Sequence, residues 1–223
     1  MNAQIGHLTL EQARAQLAPW PHRAAPISDA EHAQRLERAR GLMRAQGVDA
    51  LLVTAGTSLR WFAGVPWGGS ERLGAMLLTL EGEPLLVCPV FEEGSLDAVL
   101  RIPAGKRLWE EHEDPHALVA QAMAERGART LALDPEAPYR VQVGLAAHLG
   151  ATAITSAAAI IDGCRMCKSP AELALMQQAC DMTLQVQRLA AGIAREGIGT
   201  DELVRFIDEA HRALGADGGS TFC

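Results

Sequence analysis

No run of Lys or Arg occurs anywhere in this chain of 223 residues, and its formal net charge is −7. Nucleic acids and anionic membrane surfaces both select clustered positive charge, so neither is expected as a main partner. No stretch approaches the roughly 20 apolar residues that cross a bilayer. Residues Met1 to Leu10 carry no basic segment followed by an apolar core, which argues against a secretory signal. Cysteine is sparse, at positions 88, 164, 167, 180 and 223. The odd count and wide spacing suit reduced thiols in a cytoplasmic protein. H-E-x-x-H, a G-x-S-x-G elbow and a phosphate-cradling glycine loop are also missing, which removes the familiar signatures of several hydrolase and nucleotide-binding chemistries.

What remains is a globular composition, 48% hydrophobic and 21% charged, with no internal repeat or low-complexity tract. Three weaker constellations stand out. Cys164 and Cys167 form a C-x-x-C pair, but their neighbours offer no further His or Cys ligand, and plain structural cysteines are expected. His112 and His116 stand four apart among Glu110, Glu111, Glu113 and Asp114. Pro115 would interrupt a helix aligning the two rings, so a solvated acidic loop is the expectation there. The segment Gly64-Val-Pro-Trp-Gly-Gly-Ser70 reads either as an ordinary irregular connection or as a ligand-facing loop.

Periodicity gives the organisation. Residues 1–28, with Pro19, Pro21 and Pro26, read as an amino-terminal extension holding a short helical stretch around Leu10 to Leu17. Ser28 or Asp29 starts a helix that ends at Gly47. Strands are expected at Asp49–Thr54, Ser58–Ala63, Leu73–Leu80 and Pro84–Pro89, followed by alternating helices and strands to about Thr155. This order predicts an α/β domain over residues 29–162, a mixed sheet with helices packed on its faces. Beyond it, Ser169, Pro170 and Glu172 make a strong helix start. The helix carries an apolar stripe through Leu173, Met176, Cys180, Thr183, Gln187 or Val186, Ala190 and Ile193. Thr200-Asp201-Glu202 is expected to cap a second helix reaching Leu214. Two such helices alone would leave apolar faces uncovered, so a continuation or a separate chain is expected to cover them.

Several segments resemble the Xaa-Pro peptidase family, which includes prolidase, aminopeptidase P and creatinase. Arg165-Met-Cys-Lys-Ser-Pro-Ala-Glu-Leu-Ala-Leu-Met176 is similar to its junction motif, and Ile198-Gly-Thr-Asp-Glu-Leu203 to the turn that starts its second helix. Gly215-Ala-Asp-Gly-Gly-Ser-Thr-Phe222 resembles the approach to its first catalytic strand, and Ser58-Leu-Arg-Trp-Phe-Ala-Gly64 an element of its amino-terminal domain. The resemblance implies a creatinase-like amino-terminal domain followed, over residues 163–223, by the first two helices of an α+β pita-bread catalytic domain.

It also implies the chemistry of a prolidase-like dipeptidase that cleaves before proline. Two divalent metal ions (Mn, Zn or Co) would be held by residues downstream of Phe222, so this chain holds no metal ligand and no catalytic residue. The implied partners are the remainder of the catalytic domain, a second copy in a homodimer, and an Xaa-Pro peptide. Substrate-binding candidates are Arg60, Trp61, Trp67, Arg72 and Phe222, because an Arg pairs bidentately with a carboxylate and a Trp packs on a proline ring. Alternatives are an aminopeptidase P, a creatinase-type hydrolase of the same fold, or a non-catalytic protein-binding module.

Overall fold

The structure, a computed structural model, describes residues 5–217. It divides into two compact units, Ile27–Cys167 and Met1–Pro26 together with Lys168–Cys223. A short helix, α1 (Leu10–Arg14), opens the chain, with Thr9 and Gln12 closing a reciprocal capping box at its start.

The larger unit begins with α2 (Asp29–Gln46). The Ser28 side chain caps it, and Gly47 ends it at a φ of 65°, a left-handed turn that costs a residue without Cβ nothing. Then come β1 (Ala50–Thr54), α3 (Thr57–Ala63), β2 (Ala75–Thr79) and β3 (Leu85–Pro89). A 3₁₀ turn leads into α4 (Glu93–Val99), followed by β4 (Gly105–Trp109), α5 (Pro115–Glu125), β5 (Leu131–Leu133), α6 (Tyr139–Leu149), β6 (Ile154–Ser156) and α7 (Ala158–Arg165). The six strands form one mixed sheet in the order β4-β3-β2-β1-β5-β6. Only β2 runs against its neighbours, and the other pairings are parallel.

Every residue of β1, β2 and β3 is buried because helices cover both faces of the sheet. Side chains alternate between those faces. Leu51, Val53, Met76, Leu78 and Leu86 join a core with Met43 of α2, Phe62 of α3, Leu96 of α4 and Ile160 of α7. Leu52, Leu77, Leu85 and Val87 join the opposite core with Val119 and Met123 of α5 and Leu145 of α6. The predicted mixed-sheet α/β class is therefore what the chain adopts.

Two local expectations are corrected. Ser58–Ala63 is helical, not extended. Ser58, Leu59, Phe62 and Ala63 are its buried residues, a one-three-one spacing that suits a helix face and not a strand. A six-residue window is too short to separate the two periods by pattern alone. Helix α7 was not foreseen as a helix, because Gly163 reads as a breaker. Leu42 lies 2.9 Å from where a Cβ would stand, so glycine there permits close helix packing.

In the smaller unit, α8 (Pro170–Ile193) starts with the predicted capping box of Ser169 and Glu172, and α9 (Thr200–Leu214) ends at Gly215. No side chain caps α9, whose N-cap is Gly199, so Thr200 does not take the expected role. The inward stripe of α8 also differs from expectation. Met182, Val186, Leu189, Ala190 and Ile193 are buried against Phe206, Ile207 and Ala210 of α9. Leu173 and Met176 are 54% and 50% exposed, and Cys180 is exposed as well. The segment read as an extension packs onto this helical pair: Leu8, Leu10, Leu17 and Trp20 line its core, and Trp20 N–H donates to Leu214 O at 3.0 Å.

Candidate functional site

In an open sheet with parallel strands, ligands collect outside the carboxyl ends of the strands where successive connections leave to opposite faces. Here β1 leads to α3 on one face and β5 to α6 on the other. The segment between α3 and β2 runs across that edge. Gly64 caps α3 at a φ of 77° and releases the chain into Pro66-Trp67-Gly68-Gly69.

Two concavities flank this segment. One is a groove of about 340 Å³ walled by Pro66, Trp67, Arg72, Pro89, Phe91 and Glu92. Trp67 is half-buried against Gly74, whose missing Cβ would stand 3.3 Å from the indole ring. The Arg72 guanidinium lies 5.5 Å from the centroid of Phe91, within range of a cation–π contact. Arg72 Nε also donates to Glu111 Oε1 at 2.6 Å, and Arg72 forms a second ion pair with Glu71. Hydrogen bonding to Glu111 and that carboxylate's charge raise the Arg72 pKa, so the guanidinium is a fixed charge.

The second concavity is a cavity of about 360 Å³ on the other side of the Ser70–Gly74 strip. Thr54 and Ala55 at the end of β1, Leu73, Trp109, Pro115 and Val141 give it an apolar interior, while Glu71, Arg72, Glu111, His116 and Arg140 carry its polar groups. Trp109 is fixed there by its indole N–H, which donates to Leu73 O at 3.1 Å. Arg140 donates to Ser70 O.

Residues 110–114 form an exposed turn, the solvated acidic loop expected, which ends in an ordered cap. Pro115 opens α5 at its first turn instead of interrupting a helix, and Asp114 is the N-cap. Asp114 Oδ1 accepts from His116 N–H at 2.9 Å and faces His116 Nδ1 at 3.0 Å, while Oδ2 faces His148 Nε2 at 2.7 Å. Partial burial pushes this carboxyl upward, but the hydrogen bonds from His148 and His116 outweigh it and hold the pKa at about 2. His112 takes no part in this cluster. At the end of β5, buried Asp134 accepts from Glu136 N–H at 3.0 Å, and burial pushes its pKa up. Burial likewise pushes the Cys88 thiol up to about 11 and raises that of Cys164, so neither is an activated nucleophile.

Of the predicted substrate-binding residues, the fold brings Trp67 and Arg72 to one groove. Arg60 and Trp61 lie on α3 outside it. Trp61 sits 4.3 Å beneath the Arg35 guanidinium and packs edge-on against Phe62, a structural arrangement. Phe222 lies outside the described residues. Phe91, 61% exposed at the groove, and Arg140 were not singled out in the sequence. Their neighbours join them only through the sheet crossover, and no local pattern marks either.

Residues 35–167 match the model of the Creatinase/Prolidase N-terminal domain. The chain belongs to that family. Among curated proteins it is 29% identical, over 154 residues, to "Probable dipeptidase PepE" of Mycobacterium tuberculosis, covering 68% of this chain and 40% of the relative. Among solved structures, dipeptidase PepE from Mycobacterium ulcerans superposes with a TM-score of 0.74 at 27% identity, covering 87% of this chain and 52% of the other. A prolidase from Thermococcus sibiricus gives a TM-score of 0.76 at 21% identity, a likeness of fold. The chain thus spans about half the length of these relatives or less. Among the described residues of this family member, no group of three or more His, Cys, Asp or Glu is arranged to hold a metal ion. The described residues therefore do not fit the metal pair implied by the family resemblance. No described helix is long and apolar enough to cross a membrane.

Proposed function

We propose that this chain is the amino-terminal portion of a cytoplasmic, dinuclear-metal Xaa-Pro dipeptidase, which hydrolyses the peptide bond before proline. The observation that carries the reading is the 87% coverage of this chain by half of a dipeptidase structure at 27% identity. Both metal ions are assigned to residues outside this chain, and no catalytic step is assigned to a residue within it. Its contribution is a domain that pairs with a second copy and a groove that forms part of the substrate wall.

Trp67 and Phe91 offer flat apolar surfaces for a pyrrolidine ring, and Arg72 offers a fixed cation for the peptide carboxylate. Arg72 is already paired with two carboxylates, so it would orient substrate by sharing its five donors, not as a lone charge.

The test is a steady-state assay of the whole enzyme, supplied with manganese, on Ala-Pro, longer Xaa-Pro peptides and creatine. Preference for Ala-Pro is expected. Arg72→Ala and Trp67→Ala should each raise KM about tenfold with kcat little changed, the pattern of lost ground-state binding. No hydrolysis of any Xaa-Pro bond would overturn the enzymatic assignment, and unchanged KM in both variants would remove the groove from it.

A further inference from the structure

We propose that the 360 Å³ cavity beside β1 binds a small zwitterion, a free amino acid with an apolar side chain. This goes beyond the peptidase reading and does not rest on it. The volume lies within the range of about 300–1,000 Å³ typical of small-ligand sites. Its place, outside the carboxyl end of β1 at the point where connections part to opposite faces, is where open sheets bind ligands.

The charges on the wall choose the ligand class. Arg72 and Arg140 balance Glu71 and Glu111. A purely anionic ligand would meet two carboxylates, and a purely cationic one would meet two guanidiniums. A zwitterion satisfies both signs. Arg72 is engaged by Glu71 and Glu111, whereas Arg140 donates one hydrogen bond, to Ser70 O. A guanidinium carries five donors in a planar fork that matches a carboxylate, so Arg140 is the residue assigned to the ligand carboxylate. Glu111 uses Oε1 on Arg72, and a carboxylate has about four acceptor positions. That capacity suits an ammonium group. On the same cavity wall, Leu73, Trp109 and Val141 are buried apolar residues, which would shelter an aliphatic side chain from water.

The probes are L-leucine and L-valine, titrated into the full chain by calorimetry, with N-acetyl-leucine and leucinamide as singly charged counterparts. At least one zwitterion should bind saturably, and both counterparts should bind about tenfold more weakly or not at all. Arg140→Gln, shown to be folded by its thermal unfolding curve, should weaken binding about tenfold. On the unsubstituted chain, amide NMR shifts on titration should concentrate at residues 69–74, 109–116 and 138–141. That measurement decides the matter if the variant fails to fold. Absence of saturation by either zwitterion up to about 10 mM, equal binding of the singly charged analogues, an unaffected folded Arg140→Gln chain, or shifts centred elsewhere would each overturn the proposal. A failed peptidase assay would leave it standing, because this binding is read without a catalytic half.

Discussion

Asp114 joins three groups through two oxygens: the His116 backbone, the His116 ring and the His148 ring. It thereby ties the start of α5 to the end of α6. Glycine at position 144 belongs to the same arrangement, since a Cβ there would stand 2.6 Å from the His116 imidazole. A carboxyl whose folded pKa is about 2, against an ordinary 3.8, stabilises the fold fully above the ordinary value. That contribution disappears as pH falls from about 4 through 2. Asn caps a helix about as well as Asp, so Asp114→Asn keeps the cap while removing the charge and one of the two acceptor oxygens. Stability measured by urea unfolding from pH 7 to pH 2.5 should fall less steeply below pH 4 in the variant, which should also be the less stable protein at pH 7. Asp49, held low by the Arg129 and Thr130 amides, titrates in both proteins and cancels in the difference. Identical slopes would show that Asp114 is not the titrating group.

Element boundaries were most legible where capping or turn residues mark an end. Helix α2 was readable from Ser28 and Gly47, and α8 from Ser169, Pro170 and Glu172. The capping box of α8 makes a specific expectation. Ser169 Oγ accepts from Glu172 N–H at 3.1 Å and Glu172 Oε2 accepts from Ser169 N–H at 2.8 Å. Ser169→Ala should cost about 1 kcal/mol in chemical denaturation and speed hydrogen exchange of the first-turn amides. Unchanged exchange at Glu172 would mean that the box does not hold that turn. Elements were misread where packing, not capping, decides, as with α3 and with α7. The groove was half legible. Trp67 and Arg72 belong to one glycine-rich segment visible in the sequence, but Phe91 reaches them from the end of β3. Arg140 meets Ser70 across 70 residues of chain, a separation no motif spans.

At the scale of the molecule, α8 keeps an apolar side exposed. Leu173, Met176, Cys180 and Leu184 recur at three or four residues, so they share one face of the helix, and Leu184 is 53% exposed. The buried residues of the same helix form a separate face closed by α9. Under the proposed function, the metal-bearing remainder of the enzyme covers the exposed face. The two situations predict opposite responses to charge. In this chain alone, Met176→Glu and Leu184→Glu should change stability by no more than about 0.5 kcal/mol, as exposed substitutions do. In the whole enzyme the same carboxylates would be buried in an apolar contact, at a cost on the order of several kcal/mol. Thermal unfolding of both proteins, with and without the substitutions, reads the difference directly. Equal tolerance in the two would mean that this face stays open to water, and the remainder would have to dock elsewhere.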